Sequence, residues 1–78
     1  MINDKEKIIQ DLIEIVKKTV RSNKVNRDSS TKNLTQWDSL AYMAIISEVE
    51  LLYDLPVTQD NIEKFDSIQS IADLIKNK

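Results

Sequence analysis

The sequence predicts an all-α fold, a small four-helix bundle of three longer helices and one short helix. Three observations carry this expectation. The 78-residue chain contains no Gly and a single Pro, so turns needing positive φ are few and a strand-rich fold is disfavoured. Its apolar residues recur at spacings of three and four, the period of an amphipathic helix. Residues able to cap a helix N-terminus stand just ahead of those stretches, at Asn3, Asp38 and the Asp66-Ser67 pair. A chain this short supports one domain, residues 1–78, whose core has little surplus stability.

The first helix is expected to open at about residue 4, where Asn3 and Glu6 fit a capping box. Ile8, Ile9, Leu12, Ile13, Val16 and Val20 make its apolar face, with Ile15 off the stripe at an edge. Glu14 is spaced to pair with Lys18, and Lys17, Lys18 and Arg21 suit the negative end of the helix dipole. The helix should stop near Arg21 or Ser22. Residues 22–36 are polar except for Val25 and Leu34. A loop this long in so small a domain is either functional or tied across the bundle. Val25, Leu34 and Trp37 are its expected anchors.

The second helix is expected from about Ser39 to Leu52, with Asp38 as its N-cap. Leu40, Met43, Ile46, Val49 and Tyr53 are assigned to its inner face, widened by Ile45 and Leu52. Ala41, Ala44, Ser47, Glu48, Glu50 and Leu51 fall nearer the outside, where Leu51 is the one large apolar side chain. Pro56 ends this element, because it cannot continue a helix and holds its predecessor extended. A short third helix of about two turns is expected over residues 59–65 after Thr58. The last helix follows the Asp66-Ser67 cap and carries Ile68, Ile71, Ala72 and Ile75 on one face, with Leu74 at its edge. No internal repeat or low-complexity segment is present.

Composition narrows the chemistry. The chain has no Cys, hence no disulfide framework and no thiolate metal site, and no His, the usual general base near neutral pH. Met1 leads into Asn3, Asp4, Lys5 and Glu6, which is not a signal peptide, and no apolar run approaches the roughly 20 residues of a membrane span. A soluble cytoplasmic domain is the expectation. The net charge of −2 is unevenly spread: residues 1–37 carry eight basic and five acidic side chains, residues 38–66 one basic and seven acidic. The region around Ser39 should therefore attract basic partners and repel nucleic acid. Lys24, Arg27 and Lys32 lack the interleaved aromatic residues of a nucleic-acid surface.

The stretch Trp37-Asp38-Ser39-Leu40 is the chemical focus of the chain. With Asp38 as the cap, the Ser39 hydroxyl lies at the mouth of the helix, where amide groups and the helix dipole favour an anion. A phosphate ester on Ser39 would be well placed; the plainer reading of an Asp-Ser pair is a helix start and nothing more.

Asp38-Ser39-Leu40 at a helix start resembles the signature of acyl and peptidyl carrier proteins. The order of long helix, long loop, Asp-Ser-Leu helix, short helix and final helix is similar to theirs over essentially the whole chain. Leu34, Pro56 and the run Glu63-Lys64-Phe65 leading into Ser67-Ile68-Gln69 extend the match. The resemblance implies a non-catalytic carrier on which Ser39 receives 4′-phosphopantetheine from coenzyme A, attached by a separate magnesium-dependent phosphopantetheinyl transferase. Its thiol would hold acyl or aminoacyl cargo as a thioester for loading and acyl-using enzymes, with the bundle interior or a groove beside the second helix available as shelter. A cofactor thiol accords with a chain that encodes no Cys.

Under this resemblance Asp38 is a cap, an orienter of the transferase's metal, or both. Partner docking is assigned to Trp37, Leu40, Ala41, Met43, Ala44, Glu48 and Leu51. Two alternatives stay open within that set: Trp37 as a loop anchor, and Leu40 and Met43 as core residues. Carriers of fatty acid synthesis usually bear acidic residues just after the serine, whereas Ala41, Ala44 and Leu51 stand at those positions and Trp37 replaces a small residue. That departure points to docking by apolar contact and to a specialised pathway. The chain starts with Met and ends soon after the fourth helix, as a free-standing carrier rather than a piece of a synthase would, and the bundle is expected to be a monomer. The competing reading is an unmodified helical interaction domain; a DNA-binding protein is weaker, since the helix after Asp38 carries Glu48 and Glu50 and no Lys or Arg.

Overall fold

The computed structural model describes residues 4–77, and it is helical. Helix α1 spans Asp4–Val20, α2 Ser39–Tyr53 and α3 Ile68–Lys76, with a 3-10 turn over Ile62–Asp66 between α2 and α3. No strand occurs among the described residues. The expected cap at Asn3 lies outside them.

In α1 the buried side chains are Ile9, Leu12, Ile15, Val16 and Val20. Ile15 is thus a core residue rather than an edge residue, while Ile8 and Ile13 pack only partly against the core. The buried stripe is centred on Leu12 and Val16, and Ile15 lies within a turn of both. Glu14 pairs with Lys17 at 3.7 Å, not with Lys18. Arg21 closes the helix in the left-handed region, φ 57°, and its amide donates to the Lys17 carbonyl at 2.9 Å.

The inner face of α2 is rotated from the expected one. Ala41, Ile45, Ile46 and Val49 are buried, whereas Leu40 is 82% exposed, Met43 57%, Leu51 84% and Leu52 59%. The physical reason is angular. Leu40 and Val49 are nine residues apart, which puts them roughly 180° from one another around a helix of 3.6 residues per turn. A succession of three-residue steps therefore cannot stay on one face. The four-residue steps from Ala41 to Ile45 to Val49 do.

The expected two-turn third helix is shorter. Asn61 accepts the Thr58 amide through Oδ1 at 2.8 Å and donates through Nδ2 to the Pro56 carbonyl at 3.0 Å. Such side-chain bonds compete with helical ones. Only Ile62–Asp66 then coils, as a 3-10 turn that drives Phe65 fully into the core. Ser67 caps α3, accepting the Ser70 amide at 3.0 Å, and Ile68, Ile71, Ala72 and Ile75 are buried as expected.

Helix α1 packs against both α2 and α3, and the 3-10 turn bridges α3 and α2. Ile9, Leu12, Val16, Ile45, Val49, Phe65, Ile68 and Ile71 form the fully enclosed centre. Ion pairs from Lys5 to Asp73 (2.5 Å) and from Lys76 to Asp4 (4.0 Å) join α1 to α3 at the surface, where such pairs contribute little. No helix among the described residues is long and apolar enough to cross a membrane.

Candidate functional site

The loop between α1 and α2 is held down along its length. Val25, Leu34 and Trp37 are buried, as the sequence suggests. Ser29 is buried too, which nothing in the residue pattern signals; its hydroxyl accepts the Asn26 amide at 2.9 Å. Asn33 folds the next turn, accepting from the Ser30 amide and donating to the Asp28 carbonyl, each at 2.9 Å. Ser30 and Ser67 form an isolated antiparallel bridge. The Ile68 amide donates to the Ser29 carbonyl at 3.1 Å and the Thr31 amide to the Asp66 carbonyl at 2.9 Å. The loop is thereby stitched to the start of α3, and this fixes its approach to α2.

From Leu34 the chain turns once more, the Trp37 amide donating to the Leu34 carbonyl at 3.0 Å. Asp38 then adopts an extended conformation, φ −92° and ψ −170°, and its Oδ1 accepts the Ala41 amide at 3.0 Å. Its carbonyl accepts the Tyr42 amide at 2.8 Å and begins the helix. Asp38 is the N-cap expected of it.

Ser39 is the first residue of α2 and is exposed. Its hydroxyl makes no hydrogen bond among the described residues, and the amides of Ser39 and Leu40 have no acceptor there. Two free amides at the positive end of a fifteen-residue helix form a favourable setting for an anion. The first turn of α2 carries no acidic residue beyond the cap itself. An open depression of about 510 Å³ lies beside the hydroxyl, lined by Thr31, Trp37, Asp38, Ser39, Tyr42 and Met43.

Tyr42 is fixed in this lining by donating its phenol hydroxyl to the Ile62 carbonyl. Burial pushes its pKa upward, reinforced by the negative charges of Asp66 and Glu63, so the phenol stays protonated as a donor. The sequence does not point to Tyr42 or Thr31 as site residues. Tyr42 is legible after the fact as the residue three beyond Ser39, whereas Thr31 arrives only through the folded loop.

The expected docking residues divide. Leu40, Met43, Ala44, Glu48 and Leu51 lie on the surface, and Leu52 joins them although the sequence pattern assigns it inward. Trp37 (3% exposed) and Ala41 (7%) are buried, so they offer no surface for docking; Trp37 is the loop anchor. Leu40, Ala44, Ser47 and Leu51 follow one helical stripe on the solvent side, with Met43 beside it. Among the described residues no cluster of three or more His, Cys, Asp or Glu is placed to hold a metal ion. Comparison with protein-family models, with curated proteins and with solved structures finds no match for the chain.

Proposed function

We propose that this chain is a carrier protein that bears 4′-phosphopantetheine on Ser39 and presents acyl or aminoacyl groups to partner enzymes. One observation supports the reading above the others: the Ser39 hydroxyl stands free and exposed at the head of α2, beside amides that lack acceptors. The residues present fit the group. Ser39 would hold it covalently, and the Ser39 and Leu40 amides would receive its phosphate oxygens. When bound, the group supplies the thiol that this Cys-free chain lacks, on which cargo is held as a thioester.

Each neighbouring residue has a definable part in that function. Asp38 holds the first turn in register, so the hydroxyl projects from a rigid helix end rather than from a loop. Ser39 would supply the oxygen nucleophile, its Oγ displacing adenosine 3′,5′-bisphosphate from the pyrophosphate of coenzyme A, and its proton would pass to a base of the transferase, since the chain has no His. The bundle is read as carrier-type, with the Ile62–Asp66 turn as counterpart of the short third helix. Leu40, Met43, Ala44 and Leu51 give the exposed face of α2 an apolar character suited to docking by contact rather than by charge steering. We place the protein in the cytoplasm, in a specialised biosynthetic pathway rather than in fatty acid synthesis.

The same apolar face supports a second reading, an interaction domain that docks through α2 and is never modified. Intact-mass measurement after incubation with coenzyme A and a broad-specificity transferase separates the two. The carrier gains the mass of one phosphopantetheine, and the Ser39→Ala variant gains none. Absence of any gain with several transferases would leave the interaction domain as the reading to keep.

A further inference from the structure

The outer face of α2 carries a continuous apolar stripe. Leu40, Ala44, Ser47 and Leu51 run along it at spacings of four, three and four, the seam of a coiled coil. Both leucines are almost wholly exposed, and Met43 and Leu52 widen the stripe on its two flanks. One exposed leucine needs no explanation, whereas a contiguous apolar stripe marks a contact surface. The spacing also reads the same from either end. Turned about an axis between Ile45 and Ile46, Leu40 falls on Leu51 and Ala44 on Ser47. A face whose pattern maps onto itself is suited to an isologous contact with a second copy.

Charge argues for the same occupant. Helices α1 and α2 run antiparallel: Thr19 and Val20 border one depression with Leu40, Ala41 and Ala44, and Tyr53 bonds Asp11 at the opposite end. The end of α1, with Lys18 and Arg21, therefore lies beside the N-terminal half of α2, while Glu48 and Glu50 stand in the C-terminal half. Glu48 follows Ala41 and Ala44 at helical spacing, on the side of α2 that faces α1. Lys18, Arg21, Glu48 and Glu50 have no ion-pair partner among the described residues.

We propose that the chain forms a weak two-fold dimer in which the α2 helices of two copies pair antiparallel along this seam. The proposal does not depend on the carrier reading. Each Leu40 packs on Leu51 of the other copy, and the small Ala44 and Ser47 let the helix axes approach closely at the centre. The same half-turn sets Lys18 of each copy level with Glu48 of the other, so two opposite-charge contacts form together. The two Glu48 side chains fall on opposite sides of the axis. One helix face and a turn of α1 make a footprint below the roughly 20–30 residues a side of a standard interface, which sets a dissociation constant on the order of 0.1 mM. In a carrier, pairing would withhold this face from enzymes until dilution frees it.

Sedimentation equilibrium of the full-length, unmodified protein from about 0.01 to about 1 mM reads the association directly. The wild type is expected to pass from monomer to dimer across that range, and Leu51→Asp, at an exposed position, to stay monomeric. Lys18→Glu and Glu48→Lys each create two like-charge contacts in the dimer and should weaken pairing about tenfold. Mixing these two variants in equal amounts restores both opposite-charge contacts in the heterodimer and should return association close to that of the wild type. An effect confined to one chain could not do so. A wild type that is monomeric throughout overturns the proposal and leaves the face to partner enzymes. A dimer that Leu51→Asp does not dissociate, or one that the mixture fails to restore, overturns it equally.

Discussion

Asp38 accepts the amide of Ala41 at 3.0 Å, across a turn in which the intervening Ser39 side chain is left facing outward. The cap and the free hydroxyl are therefore two aspects of one arrangement. Replacing the carboxylate should loosen both.

Asp38→Ala is expected to lower stability by about 1 kcal/mol, the usual cost of losing an N-cap acceptor. Asp38→Asn keeps an oxygen in place and should cost only a fraction of that. Urea unfolding of the two unmodified variants, followed by circular dichroism, makes the comparison. Equal losses for both would mean that the charge, not the hydrogen bond, matters.

The rotation of α2 predicts a sharp contrast between neighbours in sequence. Leu40→Ser and Leu51→Ser should each change stability by less than about 0.5 kcal/mol, as surface changes do. Ile45→Ala, at a position with no exposure, should cost about 2–5 kcal/mol. Ile46→Asp should prevent folding, because it buries an unpaired charge. Thermal melts of the four variants test the assignment, and a Leu40→Ser melt as depressed as that of Ile45→Ala would reverse it.

Arg21 ends α1 at φ 57°, in a region that costs a residue with a side chain about 1–2 kcal/mol. Glycine avoids that cost but brings more freedom to the unfolded chain. Arg21→Gly is therefore expected to stabilise the protein by roughly 0.5–1 kcal/mol. A lower urea midpoint in the variant would show that the Arg21 side chain contributes more than its backbone costs.

Tyr53 donates its hydroxyl to Asp11 Oδ2 at 3.1 Å, and its pKa is pushed up to about 12, first by burial and then by the Asp11 charge and hydrogen bond. The folded state thus holds the phenol proton more tightly than the unfolded chain, whose tyrosine titrates near 10.0. The contribution is fully present below about pH 10 and is lost as pH rises toward about 12. Urea midpoints measured from about pH 9 to about pH 11.5 should fall more steeply for the wild type than for Tyr53→Phe. Parallel curves would assign the alkaline loss to other groups.

Much of this architecture is legible in the sequence. Capping residues mark the starts of α2 and α3, Pro56 marks a break, and the Ile68, Ile71, Ala72 and Ile75 face of α3 is the buried one. These features depend on local chemistry within one or two turns. Asp38 and Ser39 are legible for the same reason, since a cap and the residue after it are positioned by adjacent backbone. The face of α2 is not. Its apolar residues are distributed around the helix, so periodicity alone gives no preferred side, and packing against α1 and the Ile62–Asp66 turn selects Ala41, Ile45 and Val49. Thr31 at the site and the burial of Ser29 depend on the stitching of the loop to Asp66 and Ile68, contacts more than thirty residues apart in the chain.

The roll of α2 about its own axis is set first by burial, since Ile45 and Val49 are fully enclosed and Ile46 nearly so, while Leu40 and Leu51 lie outside. Two phenols then tie down its ends: near its N-terminal end Tyr42 grips the Ile62 carbonyl, and at its far end Tyr53 reaches Asp11 on α1. Each bond is polar, directional and available at one roll angle. The direction in which Ser39 points thus rests on enclosed aliphatic side chains and is pinned at both ends of α2 by two hydroxyl groups, so a Tyr42→Phe/Tyr53→Phe chain should keep its helices and its buried face while the ends of α2 gain play.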